Sequence, residues 1–325
     1  MMLPKINSEV VKEEIVNFIR EIVNKSSTNG IIIGLSGGID STVVAFLSKE
    51  AIGKDKIYSY HLYSSTTPKE DTEHARLVSE ILGINYKEIY IDTITSEFLD
   101  LADLVGSSNL SDLSVLSSSD LTNYNEVSNS FENKSAEGNL KARIRMSMLY
   151  YFANMKNCLV AGTGNKSELL IGYFTKYGDG ACDFEPIGDI YKTQLRKLAK
   201  DWNIPDVIIN KPPRAGLWIG QTDEDEIGLT YDVLDQLLYL IVDKNLTNEE
   251  ILKEMNSSNM EINKVRDKIT NNQHKLQFPP SPFEKKEIVL NLILFLIYYF
   301  FNNLIIFNNF NNFNINLNNF NISNN

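Results

Sequence analysis

The sequence predicts an α/β protein built on a doubly wound, mostly parallel sheet flanked by helices. Three observations carry this. Short apolar runs alternate with segments of helical spacing along the first half of the chain. The first run, Ile31 to Leu35, is apolar and mostly β-branched, the composition of a strand buried on both faces. It passes through Ser36-Gly-Gly into Ile39-Asp-Ser-Thr42 and an apolar helix face of Val43, Val44, Phe46 and Leu47. Strand, tight turn and helix in that order mark a right-handed βαβ unit.

The elements follow in order. Val10 to Val23 places Val11, Ile15, Phe18, Ile19 and Ile22 at helical spacing, which predicts an amphipathic helix leading into the first strand. Ile57 to Leu62 is the second strand. Pro68 to Leu82 is a helix that starts on a proline and ends at Gly83. Tyr86 to Ile91 is the third strand. Residues 107–137 break the pattern with a Ser/Asn-rich insertion, read as a long surface loop, either a lid or a polar insertion. A helix then runs from Gly138 through Ala153, and Cys158 to Ala161 is the fourth strand. Tyr191 to Trp202 is a helix. Lys211 to Glu226 reads as a proline-stiffened loop with a solvated acidic run. Helices are predicted over Tyr231 to Val242, Asn248 to Met255 and Glu261 to Asn271.

The formal charge of −11 disfavours a broad polyanion-binding surface, so no nucleic-acid partner is expected. Cys158 and Cys182 form neither a CxxC pair nor a metal-ligand spacing, which fits a reduced, cytoplasmic setting. The N-terminus lacks the apolar core of a secretory signal. From Ile288 the last 38 residues carry no charge and are almost entirely Asn, Phe, Ile, Leu and Tyr. Residues 284–325 are read as a low-complexity tail behind a single domain over 1–283; a membrane contact through the tail is the weaker alternative.

Several residue groups point to chemistry. Two glycines in the turn at Gly37 and Gly38 let another molecule approach the backbone, and a helix N-terminus with free N–H groups is an anion site. No Lys stands in the turn, so this is not the G-x-x-x-x-G-K-[ST] phosphate loop. Gly162-Thr-Gly-Asn-Lys-Ser-Glu168 is a second glycine turn into a helix; Glu168 suits either a hard cation or a helix cap. Arg143 and Arg145 are two apart and face different ways, so one can meet a substrate anion while the other pairs structurally. Lys176, Asp179 and Asp183 suit polar substrate contacts or a solvated turn equally. Lys192 begins a helix, where a cation is unfavourable unless an anion lies nearby.

Ser36-Gly-Gly-Ile-Asp-Ser41 resembles the PP-loop of ATP pyrophosphatases, which split ATP between its α- and β-phosphates. With Gly138-Asn-Leu-Lys-Ala-Arg143, Gly162 to Glu168, Lys176-Tyr-Gly-Asp-Gly180, Ala215 to Glu224 and His274-Lys275, the chain is similar to ammonia-dependent NAD+ synthetases over roughly residues 5 to 283. The resemblance implies an adenine nucleotide alpha hydrolase-like, Rossmann-like fold. It implies amidation of deamido-NAD+ by ammonia at the expense of ATP, through an acyl adenylate, and a homodimer. It implies that Gly34, Leu35, Ser36, Gly37, Gly38, Ile39, Asp40 and Ser41 line the ATP phosphates, with Thr163, Lys192 and Arg214. Asp40 and Glu168 are implied Mg2+ ligands, and Asp40 and Lys192 the catalytic pair. Arg143, Lys176, Asp183, His274 and Lys275 are implied deamido-NAD+ contacts.

The chain departs from that family in Arg214, where a Ser or Thr is usual, in the insertion and in the tail. It also carries no nitrilase-type glutaminase segment. The alternatives are an impaired nucleotide-binding homologue and a different PP-loop enzyme.

Overall fold

The computed structural model describes residues 3–107, 131–218 and 220–280. The chain divides into a compact unit, Met1–Leu276, and a second, Gln277–Asn325. The second is described only over 277–280, so the tail reading lies outside the described residues, as does most of the 107–137 insertion.

Four parallel strands form the sheet in the order β3-β2-β1-β4. They are β1 (Gly30–Gly34), β2 (Ile57–Tyr63), β3 (Asn85–Tyr90) and β4 (Cys158–Ala161). Ile31 pairs with Ile57 on one side and Leu159 on the other. Each strand lies within one residue of its predicted position. The helices of the first half are α1 (Ser8–Ser26), α2 (Ile39–Ile52), α3 (Lys69–Leu82), α4 (Asp92–Ser107) and α5 (Phe131–Lys156). Those of the second half are α6 (Lys166–Ile171), α7 (Lys192–Asp201), α8 (Asp206–Ile209), α9 (Asp223–Ile227), α10 (Tyr231–Leu238), α11 (Asn248–Glu254) and α12 (Asn259–Leu276).

Three differences from the sequence reading stand out. Asp92–Ser107 is helical, although Thr93, Thr95 and Ser96 are weak helix formers at its start. Helix α5 begins at Phe131, inside the stretch read as loop. The acidic run is not wholly a solvated loop. Thr222 caps α9 by accepting from the Asp225 N–H, and Asp223 is buried.

The β1 side chains explain the layers. Ile31 and Ile33 enter a core with Ile19 of α1, Leu47 of α2 and Leu195 of α7. Ile32, pointing the other way, joins Tyr60, Ile144, Leu149 and Val160 under α5. A third cluster around Tyr231, Leu234, Leu238 and Ile262 packs α6 against α10 and α12. The two edges of the sheet differ. Strand β3 is largely exposed and charged, with Glu88 bound by Arg76. Strand β4 is covered: Asp183 N–H donates to the Val160 carbonyl and Val160 N–H donates to Asp183 Oδ2.

From β1 the chain winds to β2 and β3 on one side and to β4 on the other. That reversal opens a crevice beyond the carboxyl ends of β1 and β4, where ligands of such sheets bind. The turn after β1 fills its floor. Gly37 adopts φ +76°, and a Cβ there would stand 2.2 Å from the Asp71 carbonyl oxygen of α3. Gly37→Ala is therefore expected to lower unfolding free energy by about 1–3 kcal/mol, read as a fall in the urea midpoint at unchanged slope.

Candidate active site

The turn after β1 holds itself open with hydroxyls. Ser36 Oγ lies 3.0 Å from Ser41 Oγ and accepts from the Gly38 N–H at 3.2 Å. Thr42 Oγ1 donates to the Gly38 carbonyl at 2.8 Å. Helix α2 starts on Gly38 with no side-chain cap, which leaves first-turn amides for a ligand. Behind the turn, His61 is buried between the Leu35 carbonyl and Thr72 Oγ1, 2.9 Å from each. A carbonyl only accepts, so Nδ1 carries the proton and Nε2 accepts from Thr72. Burial pushes the imidazole pKa down, which favours this neutral form.

Lys192 lies at the centre of the crevice with its side chain 2% exposed. Its Nζ donates to Asp40 Oδ2 at 2.6 Å and to Glu168 Oε1 at 3.1 Å. Asp40 Oδ1 accepts from Asn165 Nδ2 at 2.9 Å, and Asn165 forms a capping box with Glu168. Glu168 thus caps α6 through Oε2 and meets Lys192 through Oε1. Tyr231 OH reaches Glu168 Oε1 at 3.4 Å and Asp223 Oδ2 at 3.3 Å. Burial works against the Lys192 ammonium, but Asp40, Glu168 and Asp223 outweigh it and hold its pKa above the ordinary lysine value. Burial pushes the Glu168 carboxyl up to about 8 and raises that of Asp223 as well.

The start of α7 is anchored from below. Asp235, wholly buried, accepts from Ser167 Oγ at 2.5 Å, Thr193 N–H at 2.8 Å and Thr193 Oγ1 at 2.7 Å. Lys192 N–H donates to Ser167 Oγ at 2.9 Å. One carboxylate thereby ties α6 to α7 and sets where the lysine begins. Residues 231, 234, 235 and 238 share one helix face, so an Asp among Tyr and Leu was the available sequence signal.

Around these residues is a cavity of about 480 Å³. Gly34 to Ser41, Gly37 apart, line it together with Thr163, Glu168, Lys192 and Arg214. Lys211 Nζ donates to the Gly37 carbonyl at 2.9 Å and to Asp71 Oδ1 at 2.7 Å. Arg214 Nη2 donates to the same Asp71 oxygen at 2.8 Å and also to Glu70, while its Nε is buried without a partner among the described residues. The bulky guanidinium therefore leans on α3. Sequence reasoning missed Lys211, Asp71 and His61; an Asp in a first helical turn looks like an ordinary dipole residue.

The expected dinucleotide contacts divide. Lys275 lines the cavity and donates to the Gly172 and Phe174 carbonyls at 2.6 and 3.0 Å. Arg143, Lys176 and His274 join one another outside its lining: Arg143 Nε donates to the Lys176 carbonyl and Lys176 Nζ to the His274 carbonyl. Asp183 is engaged at the sheet edge, by Tyr150 OH at 3.1 Å and Val160 N–H at 2.7 Å. Arg145 lines the cavity with Asp179.

A family model described as NAD synthase matches residues 11–279. The chain belongs to the NAD synthase family. The NH(3)-dependent NAD(+) synthetase of Methanocaldococcus jannaschii is 47% identical over 274 residues, 83% of this chain and 96% of that protein. That of Archaeoglobus fulgidus is 42% identical over 275 residues, covering 84% and 96%. Among solved structures, the NH3-dependent NAD synthetase of Campylobacter jejuni in complex with the nitrate ion aligns at TM-score 0.66 and 30% identity, over 86% of this chain and all of the other. The NMN synthetase of Francisella tularensis aligns at TM-score 0.69 and 29% identity over the same shares.

Behind the second glycine turn, Glu185 accepts from the Gly164 N–H at 3.0 Å and from the Cys182 thiol at 3.2 Å. Burial pushes its carboxyl up to about 7 against those hydrogen bonds. A raised carboxyl pKa favours folding below its unfolded value, and that contribution is lost as pH rises through about 7. Glu185→Gln should abolish this part of the slope. Relative to the natural chain, the variant should gain unfolding free energy between about pH 5 and 8 in a urea series.

Proposed function

We propose that the chain joins ammonia to deamido-NAD+ at the expense of ATP, giving NAD+, AMP and pyrophosphate. The observation that carries this reading is the buried Lys192 ammonium, held between Asp40 of the PP-loop and Glu168 of the second glycine turn. The nicotinate carboxylate is a poor electrophile. Its oxygen bonds to the α-phosphorus of ATP as the bond to pyrophosphate breaks, and ammonia then displaces AMP from the acyl adenylate. Each step requires charge stabilisation and alignment rather than a side-chain nucleophile.

The residues suit those tasks. The first-turn amides of α2 and the hydroxyls of Ser36 and Ser41 face the phosphates. Lys192 and Thr163 contact the α-phosphate region, Lys192 drawing off charge as pyrophosphate departs. Lys211 and Arg214 lie above the turn, where the leaving pyrophosphate passes.

Mg2+ fits the donor set. Three carboxylates, Asp40, Glu168 and Asp223, face a single ammonium, and burial opposes ionising Glu168 and Asp223 unaided. Among the described residues no three His, Cys, Asp or Glu side chains form a complete metal cage. Two carboxylates plus nucleotide oxygens are the usual Mg2+ arrangement, so Asp40 and Glu168 would hold the ion. When bound, it lowers the charge on the phosphoryl oxygens.

For deamido-NAD+, Lys275 serves the reacting end. Arg143, Lys176 and His274 serve the far end, beyond the cavity. A homodimer would cover two exposed apolar helix faces: Ile94, Phe98 and Leu101 on α4, and Tyr151 and Met155 on α5. Among the described residues no helix is long and apolar enough to cross a membrane. A cytoplasmic setting suits the free thiols Cys158 and Cys182.

The test is NAD+ formation by the full chain from deamido-NAD+, ATP, Mg2+ and ammonium. Turnover is expected, and Lys192→Ala should lower kcat by about 10²–10³-fold. A folded, soluble chain that makes no NAD+ under these conditions would rule the reading out.

A further inference from the structure

Five cations line the cavity: Arg145, Lys192, Lys211, Arg214 and Lys275. Lys192, Lys211 and Arg214 each pair with a carboxylate. Lys275 gives two of its three N–H donors to backbone carbonyls. Arg145 differs. Its Nε donates to the Leu62 carbonyl at the end of β2 at 2.8 Å, and among the described residues this is its one hydrogen bond. Nη1 and Nη2 have no acceptor among the described residues.

Such a group is costly to leave unmatched. Burial works against the guanidinium charge, and Asp179 and Asp92 offset only part of that. Neither hydrogen-bonds it among the described residues: Asp179 Oδ1 accepts from the Thr175 N–H at 3.0 Å, and Asp92 Oδ2 accepts from the Ser65 N–H at 2.8 Å. The Leu62 carbonyl fixes one edge of the guanidinium plane and leaves the Nη1/Nη2 end free. Two parallel N–H donors in one plane match the two oxygens of a carboxylate.

The surroundings select among anions. Lys192, Lys211 and Arg214 already serve the phosphate side of the cavity, at the PP-loop. Arg145 instead shares the field of Asp179 with Lys275, and Phe174, Met146 and Leu149 supply apolar wall for an aromatic ring. Arg143, two residues away, donates to the Lys176 carbonyl outside the cavity lining.

We propose that Arg145 binds the nicotinate carboxylate of deamido-NAD+ through Nη1 and Nη2, which rests on the function proposed above. It would tell the acid from the amide. The charged substrate gains a two-pronged ion pair, whereas the neutral carboxamide of NAD+ has one acceptor oxygen and turns an NH2 donor toward the second N–H. Amidation therefore weakens the grip on the finished product.

The experiment is calorimetric titration of the full-length chain with deamido-NAD+ and, separately, NAD+. The natural chain should bind the acid more tightly than the amide. Arg145→Gln should weaken deamido-NAD+ by about tenfold or more and change NAD+ by less than about twofold. Arg145→Lys, which keeps the charge without the fork, should fall between them. Equal weakening of both dinucleotides would place Arg145 on a phosphate and overturn the assignment. So would weakened ATP binding with unchanged deamido-NAD+ binding, or no change at all. If neither variant folds, the natural chain still decides: no preference for acid over amide overturns the proposal. A natural chain that binds no deamido-NAD+ would overturn the functional reading and this inference together.

Discussion

A lysine ammonium withdrawn from water at the junction of two glycine turns is the constraint around which the site is arranged. Lys192 is unfavourable on two counts: it is buried, and it stands at the positive end of α7. Asp40 and Glu168 offset both. Each carboxylate comes from a helix start that follows a strand, so the ion pair joins the β1 and β4 crossovers across the point where the sheet reverses. Removing either carboxylate would leave the ammonium undercompensated. Removing the lysine would leave like charges facing one another. The arrangement is thus a poor device for stability alone, and its geometry suits a polyanionic ligand bound with a divalent ion.

Supporting groups keep that ion pair in place. Asp235 gathers Ser167 and Thr193 and so fixes α6 against α7. Asn165 holds Asp40 while capping α6, and Tyr231 spans Glu168 and Asp223. Across the cavity, Asp71 collects Lys211 and Arg214 on a single oxygen. The cavity is therefore polarised. Carboxylates outnumber the cation around Lys192, whereas on the other side two lining cations, Arg145 and Lys275, share the field of Asp179. A substrate pair that brings phosphates with a metal to one side and an organic acid to the other would meet complementary charge on both.

Much of this was legible in the residues themselves. The β-branched run of β1 announces a strand buried on both faces, and Ser36-Gly-Gly with Asp40 announces an anion-binding turn. Lys192 was legible as a cation out of place. What was not legible depended on distant partners. Arg143 and Arg145 have the same side chain two residues apart, and only the packing of α5 over β2 decides which faces the cavity. Asp71 looks like a dipole residue until the 211–214 segment is laid beside it. The helix α4 was hidden by threonines near its start, and the buried role of Asp223 by its acidic neighbours.

The borders of the sheet carry a last implication. Four parallel strands leave two rims of unpaired backbone groups, each a template for another chain. At one rim the segment around Asp183 already occupies the donors and acceptors of β4. At the other, β3 presents Lys87 and Glu88 to solvent, and Arg76 is clamped on Glu88. Self-association by strand addition is discouraged at both borders, by occupancy at one and by charge at the other. A concentrated solution of this unit should therefore resist ordered aggregation even though its inner strand, Ile31 to Ile33, is among the most aggregation-prone sequences it contains.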